Sequence, residues 1–277
     1  MVAKKTQSKS VAKRKPAPRR KPTRKASRPT KGWGRLWPAL LGGTIVIATC
    51  WLLFKVLSSR ELPAATSLPE GFTVHGIDVS HHQGLIDWEA VSATKVQFVF
   101  LKATEGATHV DRRFARNLRG ARRVGIPVGA YHFLNAKSTI ASQFANFYEH
   151  ASPSELDLLP VVDVEWSGVR GWSSQQLQDS LSLFVRLVEE YYGCQPLIYA
   201  DEKFFYRHLK GHFDSYPLFI ARYQKQQPQL PFARRYYLWQ SSEKGHVAGI
   251  SGHVDLDMFT PGTTIEDIRG PHPVPPQ

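Results

Sequence analysis

Between residues 76 and 257 the chain carries eight short, β-rich apolar runs, at 76–79, 97–103, 127–133, 159–165, 196–200, 217–221, 236–240 and 253–257. Helix-compatible stretches follow each of the first five, at 86–93, 111–124, 139–150, 177–192 and 201–209. The clearest is 177–192, where Leu177, Leu181, Phe184, Val188 and Tyr191 fall on one face, Ser173 or Ser174 can cap the start and Gly193 can end it. After the sixth run the helical pattern fades. Alternating strands and helices predict a parallel sheet, and eight strands predict its closure into a barrel. About 190 residues cannot hold eight helices as well, so the expected fold is an α/β, modified TIM-like barrel of five βα units followed by three further strands.

In a barrel of this kind the working groups gather at the carboxyl ends of the strands. Those ends carry Asp78, Lys102 with Glu105 just beyond, His132, Asp163 and Glu165, Tyr199, Gln240 and Asp255. Asp163 and Glu165 end the apolar run that begins at Leu158. Residues two apart in a strand share a face, so their carboxyls emerge together, roughly 6–7 Å apart along the backbone. Two carboxyls flanking one bond suit glycoside hydrolysis. Taken alone, each feature has a plainer use: acid-x-acid patterns cap solvated strand ends, Asp78 can cap a loop, and aromatic residues can pack a core.

The rest of the chain divides by composition. Residues 1–35 hold fourteen Lys or Arg and no acid, whereas all twenty-three Asp and Glu lie from Glu61 onward against twenty-two further Lys and Arg. The net charge of +13 therefore belongs to this tail, expected to be disordered, and the remainder gives no reason to expect a nucleic-acid partner. Nineteen uncharged residues follow, from Leu36 to Phe54, with Trp37 and Trp51 near the ends. As a helix they would span about 28 Å, close to the roughly 30 Å of a bilayer core. A transmembrane signal anchor over 36–57 is expected. It would put the tail in the cytoplasm near anionic lipid headgroups and everything after about Lys55 in the periplasm or outside. A cleaved signal peptide is the alternative, with a poor small-residue site around Ala64 and Ala65. Residues 58–71 read as a linker, 72–262 as the folded domain and 263–277 as a Pro-rich tail. Cys50 falls in the apolar span and Cys194 in the domain, so no internal disulfide is expected. His81 and His82, adjacent and opposed if extended, do not suggest a metal site, and Ser80 lacks a nucleophile-elbow setting.

Seven motifs in order carry a resemblance: Gly76-Ile77-Asp78-Val79-Ser80-His81-His82-Gln83-Gly84, Phe100-Leu101-Lys102-Ala103-Thr104-Glu105-Gly106, Gly129-Ala130-Tyr131-His132-Phe133, Leu159 to Glu165, Pro196 to Tyr199, Leu238-Trp239-Gln240 and Val254-Asp255-Leu256. Together they resemble glycoside hydrolase family 25, the Chalaropsis-type lysozymes. The resemblance implies hydrolysis of the β-1,4 bond between N-acetylmuramic acid and N-acetylglucosamine in peptidoglycan, with neither metal nor organic cofactor. It implies Glu165 as general acid and Asp163 as an ionised partner, either orienting the substrate's 2-acetamido group or activating water. Asp78 would tune its neighbours, Glu105 and Asp255 would hold the site, and Tyr131, His132, Tyr199, Trp239 and Gln240 would line the sugar. Two positions depart from the pattern: Phe219, where Trp is frequent, and Asp257, where Asn is frequent. A non-catalytic peptidoglycan-binding protein on the same barrel is the reading from a different class.

Overall fold

A computed structural model of the chain describes residues 75–231 and 235–270. The expected basic tail, apolar span and linker lie outside the described residues, as do residues 271–277. Among the described residues no helix is long and apolar enough to cross a membrane.

The strands are β1 (Gly76–Val79), β2 (Phe98–Glu105), β3 (His109–Val110), β4 (Val128–Phe133), β5 (Val161–Asp163), β6 (Leu197–Asp201), β7 (Leu218–Ala221), β8 (Tyr236–Gly245) and β9 (Val254–Phe259). The helices are α1 (Trp88–Ser92), α2 (Phe114–Arg123), α3 (Ile140–His150), α4 (Ser174–Tyr192) and α5 (Glu202–His208). Every predicted run is present. The five helices follow the order expected, and among the described residues β7, β8 and β9 come without helices between them. Ser173 caps α4, its hydroxyl accepting from the Gln176 amide, and Gly193 ends the helix in the left-handed region at φ 69°.

The ring closes at β1, which pairs parallel with β2 and antiparallel with β9. Eight strands make the barrel, and β3 extends β2 as a short antiparallel hairpin. Within the ring the parallel expectation holds for β1, β2 and β4 through β8 but not for β9, which runs antiparallel to both neighbours. Only eight residues separate β8 from β9 in sequence, short of the dozen or more that a parallel crossover needs.

Alternation along the strands produces two cores. Val99, Leu101, Ala130, Val162, Ile198 and Ile220 point outward and pack against the helices through Leu118, Phe147, Leu181, Phe184 and Phe205. Phe98, Phe100, Val161, Leu197, Phe219, Leu238 and Phe259 point inward and fill the barrel. Ile268 joins this inner cluster, and Leu158 bridges to Arg269. Residues 263–270, assigned by composition to a Pro-rich tail, therefore pack against the end of the barrel where the parallel strands begin. Two apolar side chains, Ile265 and Ile268, outweigh the polar residues between and around them because they have a hydrophobic opening to fill.

Close packing extends to the backbone. A Cβ at Gly129 would lie 2.3 Å from the Phe100 ring and 3.2 Å from Leu158 Cβ. Phe100 is fully buried and also borders the cavity described below, so it has little room to move aside. Gly129→Ala is expected to cost about 1–3 kcal/mol of stability through overpacking, measured by urea unfolding, and to lower activity as the ring is pushed into the cavity.

Candidate active site

The polar half of the barrel interior opens into a cavity of about 230 Å³ at the carboxyl ends of the strands. Asp78 reaches it from β1, Tyr131 from β4, Asp163 and Glu165 from the end of β5, Tyr199 from β6, Gln240 from β8 and Asp255 from β9. Phe100, Val161 and Phe219 supply apolar wall, with Phe219 packed 5.1 Å from the Tyr199 ring.

Gln240 organises one side. Its amide nitrogen donates to Asp78 Oδ2 at 2.6 Å, while its carbonyl oxygen accepts from the hydroxyls of Tyr199 at 2.8 Å and Tyr223 at 2.6 Å. The amide is thereby fixed in orientation, with its donor end on the acid and its acceptor end on two phenols.

Burial raises the pKa of Asp78, Asp163, Glu165 and Asp255 by penalising the charged form. It pushes Asp78 well above the usual carboxylate range, helped by Asp255 and Asp257 and opposed by the Gln240 hydrogen bond. Burial brings Asp255 to about 6. Glu165 is raised mainly by burial, against the pull of a hydrogen bond from Ser167 Oγ at 3.1 Å and of the Lys102 charge. Asp163, deeper in the barrel, is pushed well above its usual range by burial and then by Glu165, and its Oδ1 is buried with no hydrogen-bond donor. The expectation that Asp163 stays ionised thus meets an opposing force in its burial. Its charge needs a donor from outside the protein.

Three residues expected at the site lie elsewhere. His132 is fully buried on the outer face of β4, hydrogen-bonded to Thr104 Oγ1 at 2.8 Å and Gln143 Oε1 at 3.2 Å and stacked on Phe184. Burial lowers its pKa to about 4. Trp239 is also fully buried and donates through Nε1 to the Arg222 carbonyl at 2.9 Å. Strand parity accounts for both placements: if Tyr131 and Gln240 face the cavity, their neighbours His132 and Trp239 must face away. Glu105 does not line the cavity and instead pairs with Lys102 at 2.8 Å.

Tyr223 and Glu243 line the cavity without having been anticipated. Tyr223 follows β7 by two residues, just beyond an apolar run that stops at Ala221. Glu243 reaches the cavity because β8 continues past Gln240 through a register shift between Gln240 and Ser242. The segment Ser241-Ser242-Glu243-Lys244 is too polar to read as a strand, so no alternation marked it. Trp166, one residue beyond Glu165, is 53% exposed and stacks on His208 at 6.0 Å.

The adjacent histidines also differ from the extended geometry assumed for them. They form a short 3₁₀ turn capped by Ser80, with rings 4.0 Å apart, and His81 is held by Asp111 at 2.7 Å. Among the described residues no group of three or more His, Cys, Asp or Glu side chains is arranged to hold a metal ion.

Comparison with known proteins agrees with this architecture. The model of glycosyl hydrolases family 25 matches residues 77–250. YegX of Escherichia coli O6:H1, an uncharacterized protein, is 35% identical, the match covering 74% of this chain and 76% of YegX. An autolytic lysozyme of Clostridium acetobutylicum is 33% identical, over 69% of this chain and 57% of its own length. The crystal structure of a bacterial lysozyme from Streptomyces coelicolor superimposes with a TM-score of 0.63 at 28% identity, covering 71% of this chain and 96% of that one.

Gln240→Leu removes the donor to Asp78 and strands two tyrosine hydroxyls. A hydrogen bond to a charged or charge-sharing group is worth about 1.5–3 kcal/mol. Hydrolysis of cell walls by Gln240→Leu is accordingly expected to fall roughly 10- to 100-fold, read from initial rates of clearing, with the variant still cooperatively folded.

Proposed function

The chain belongs to glycosyl hydrolases family 25, and we propose that it is a peptidoglycan lysozyme, cleaving the β-1,4 bond between N-acetylmuramic acid and N-acetylglucosamine. The observation that carries this reading is the entry of Asp163 and Glu165 into one cavity with Asp78 and Asp255, all four with raised pKa. Relatives and structural neighbours named as lysozymes support the substrate class.

Glu165 serves as general acid. It is less buried than Asp163, and its raised pKa keeps a proton available above the usual glutamate range. That proton passes to the bridging oxygen as the bond from that oxygen to the anomeric carbon breaks. The unpartnered Oδ1 of Asp163 is suited to accept from the N–H of the 2-acetamido group. Such a donor, together with positive charge developing on the sugar, draws Asp163 into the ionised state that burial alone disfavours. The acetamido oxygen then bonds to the anomeric carbon, and water, deprotonated by the Glu165 carboxylate, later displaces it. Deep burial of Asp163 favours this substrate-assisted course over direct activation of water. Tyr131, Tyr199 and Phe219 provide apolar and ring surface against which the sugars lie.

Residues 36–57 act, in the same reading, as a single-pass anchor that leaves the basic tail in the cytoplasm beside anionic lipid and the barrel on the peptidoglycan side. Uncharged length and flanking charge support it. A periplasm-dependent reporter fused after Glu70 should be active, and activity only in cytoplasmic fusions would reverse the topology.

Wild-type chain should release muropeptides with new reducing ends, at a rate that falls as pH rises through the raised Glu165 pKa. Glu165→Gln is expected to lose roughly 10²–10⁴-fold in rate while keeping its fold. Mass spectrometry of digested sacculi checks both points. Glycan binding by wild type without cleavage would instead support a non-catalytic envelope binder.

A further inference from the structure

Asp257 sits on β9 two residues past Asp255, so both side chains share the inner face, with Asp257 opposite Gly76 on β1 and Gln240 on β8. It is fully buried, and no N–H or hydroxyl reaches either carboxyl oxygen. The group within hydrogen-bonding reach is another carboxyl, that of Asp78, which is also within reach of the less buried Asp255. Two acids in such contact need a proton between them, because a bare carboxylate pair would be both desolvated and mutually repelled. The charged groups bearing on Asp257 are Asp78 from β1 and Asp255 from its own strand, while Gln240 on β8 is neutral. No cation offsets them within this cluster, and it is not arranged to hold a metal ion.

Which acid carries the proton follows from the donors. Asp78 already accepts from Gln240 at 2.6 Å, an interaction that favours its charged form, whereas Asp257 has no N–H or hydroxyl donor and meets only the Asp78 carboxyl. We propose that Asp257 is a positioning residue held as a neutral carboxylic acid, donating its O–H to Asp78 and so keeping the proton off the acid that faces the cavity. A protonated aspartate has the outline of asparagine and offers a donor from the same place, which accounts for an acid standing where the resemblance leads one to expect Asn. The role in activity rests on the lysozyme reading; the protonation state does not.

The linkage has a definite sign. A carboxyl whose folded pKa is raised contributes stability that is fully present below its unfolded value, about 3.9, and is lost as pH rises through the folded value. Asparagine has no proton to lose. In the full-length chain, the melting temperature of Asp257→Asn should therefore gain on wild type as pH rises from about 4 to 8, by on the order of 3 °C or more. Asp257→Ala should lose about tenfold or more in kcat/KM and show its acid limb at higher pH, since Asp78 has lost a donor and holds its own proton more tightly. Asp257→Asn should restore activity to within about threefold of wild type, the amide replacing the lost donor.

Three results would overturn the proposal. One is Asp257→Asn as inactive as Asp257→Ala, which would mean a carboxylate is required. Another is wild-type activity and pH profile in Asp257→Ala, which would make Asp257 a spacer. The third is a melting difference between Asp257→Asn and wild type that does not change with pH. Should the alanine variant not fold, the asparagine variant and its melting profile decide the matter. Full activity in Glu165→Gln would defeat the lysozyme reading alone and leave the melting comparison intact.

Discussion

Closure at β1 is the constraint on which the rest depends. This four-residue strand satisfies its backbone on both edges, against β2 on one side and β9 on the other, and so turns a sheet into a ring. Once the ring exists, alternation leaves no freedom: every second side chain must enter a narrow interior. Asp78 enters beside Asp255 because those two residues are register partners. Asp163 enters from the far side of the ring because β5 ends on the same parity. The acids meet through backbone pairing, without any sequence proximity between Asp78, Asp163 and Asp255.

The interior is polarised along its axis. Phe98, Leu197, Leu238, Phe259 and Ile268 close the end where the parallel strands begin, whereas acids, tyrosines and an amide occupy the other. The apolar half excludes water from below the acids, and that exclusion raises their pKa more than any neighbouring charge does. Depth then separates their roles. Asp163 at the strand end is buried and short of a donor, while Glu165, two residues further out, is only half-buried and touches Ser167. Two carboxyls of the same strand terminus thus differ in how readily a substrate or water reaches them.

Much of this was readable from the residues, for identifiable reasons. The strands were legible because runs such as Val161-Val162 and Leu197-Ile198 are apolar on both faces, and α4 because its apolar stripe and its Ser173 and Gly193 ends agree. Asp78, Asp163, Glu165, Tyr199, Gln240 and Asp255 were legible as strand-end groups, and all line one cavity. His132 and Trp239 were misplaced for lack of a parity argument: Tyr131 and His132 are neighbours, and only one of them can face inward. Glu243 was hidden by a register shift that no local pattern announces. The antiparallel course of β9 depends on a short hairpin connection, and the packing of Ile268 depends on an apolar opening that exists only after the barrel has closed.

Concentrating acids in a dry interior has a thermodynamic consequence. Asp78, Asp255 and Asp257 cannot all be ionised in contact with one another, so folding near neutral pH requires proton uptake relative to an open chain in which each would be charged. An apolar residue at any one of these positions would relieve that requirement, so the cluster is a poor device for stability. It is better suited to function, since it leaves Asp78 held from one side by the Gln240 amide and from the other, on the proposal above, by the Asp257 carboxylic acid. Protonation states set in this way depend on register rather than on mobile solvent. On the Asp78 side the site therefore meets its substrate with the carboxyl already oriented, and what is left for the substrate to bring about is the ionisation of Asp163.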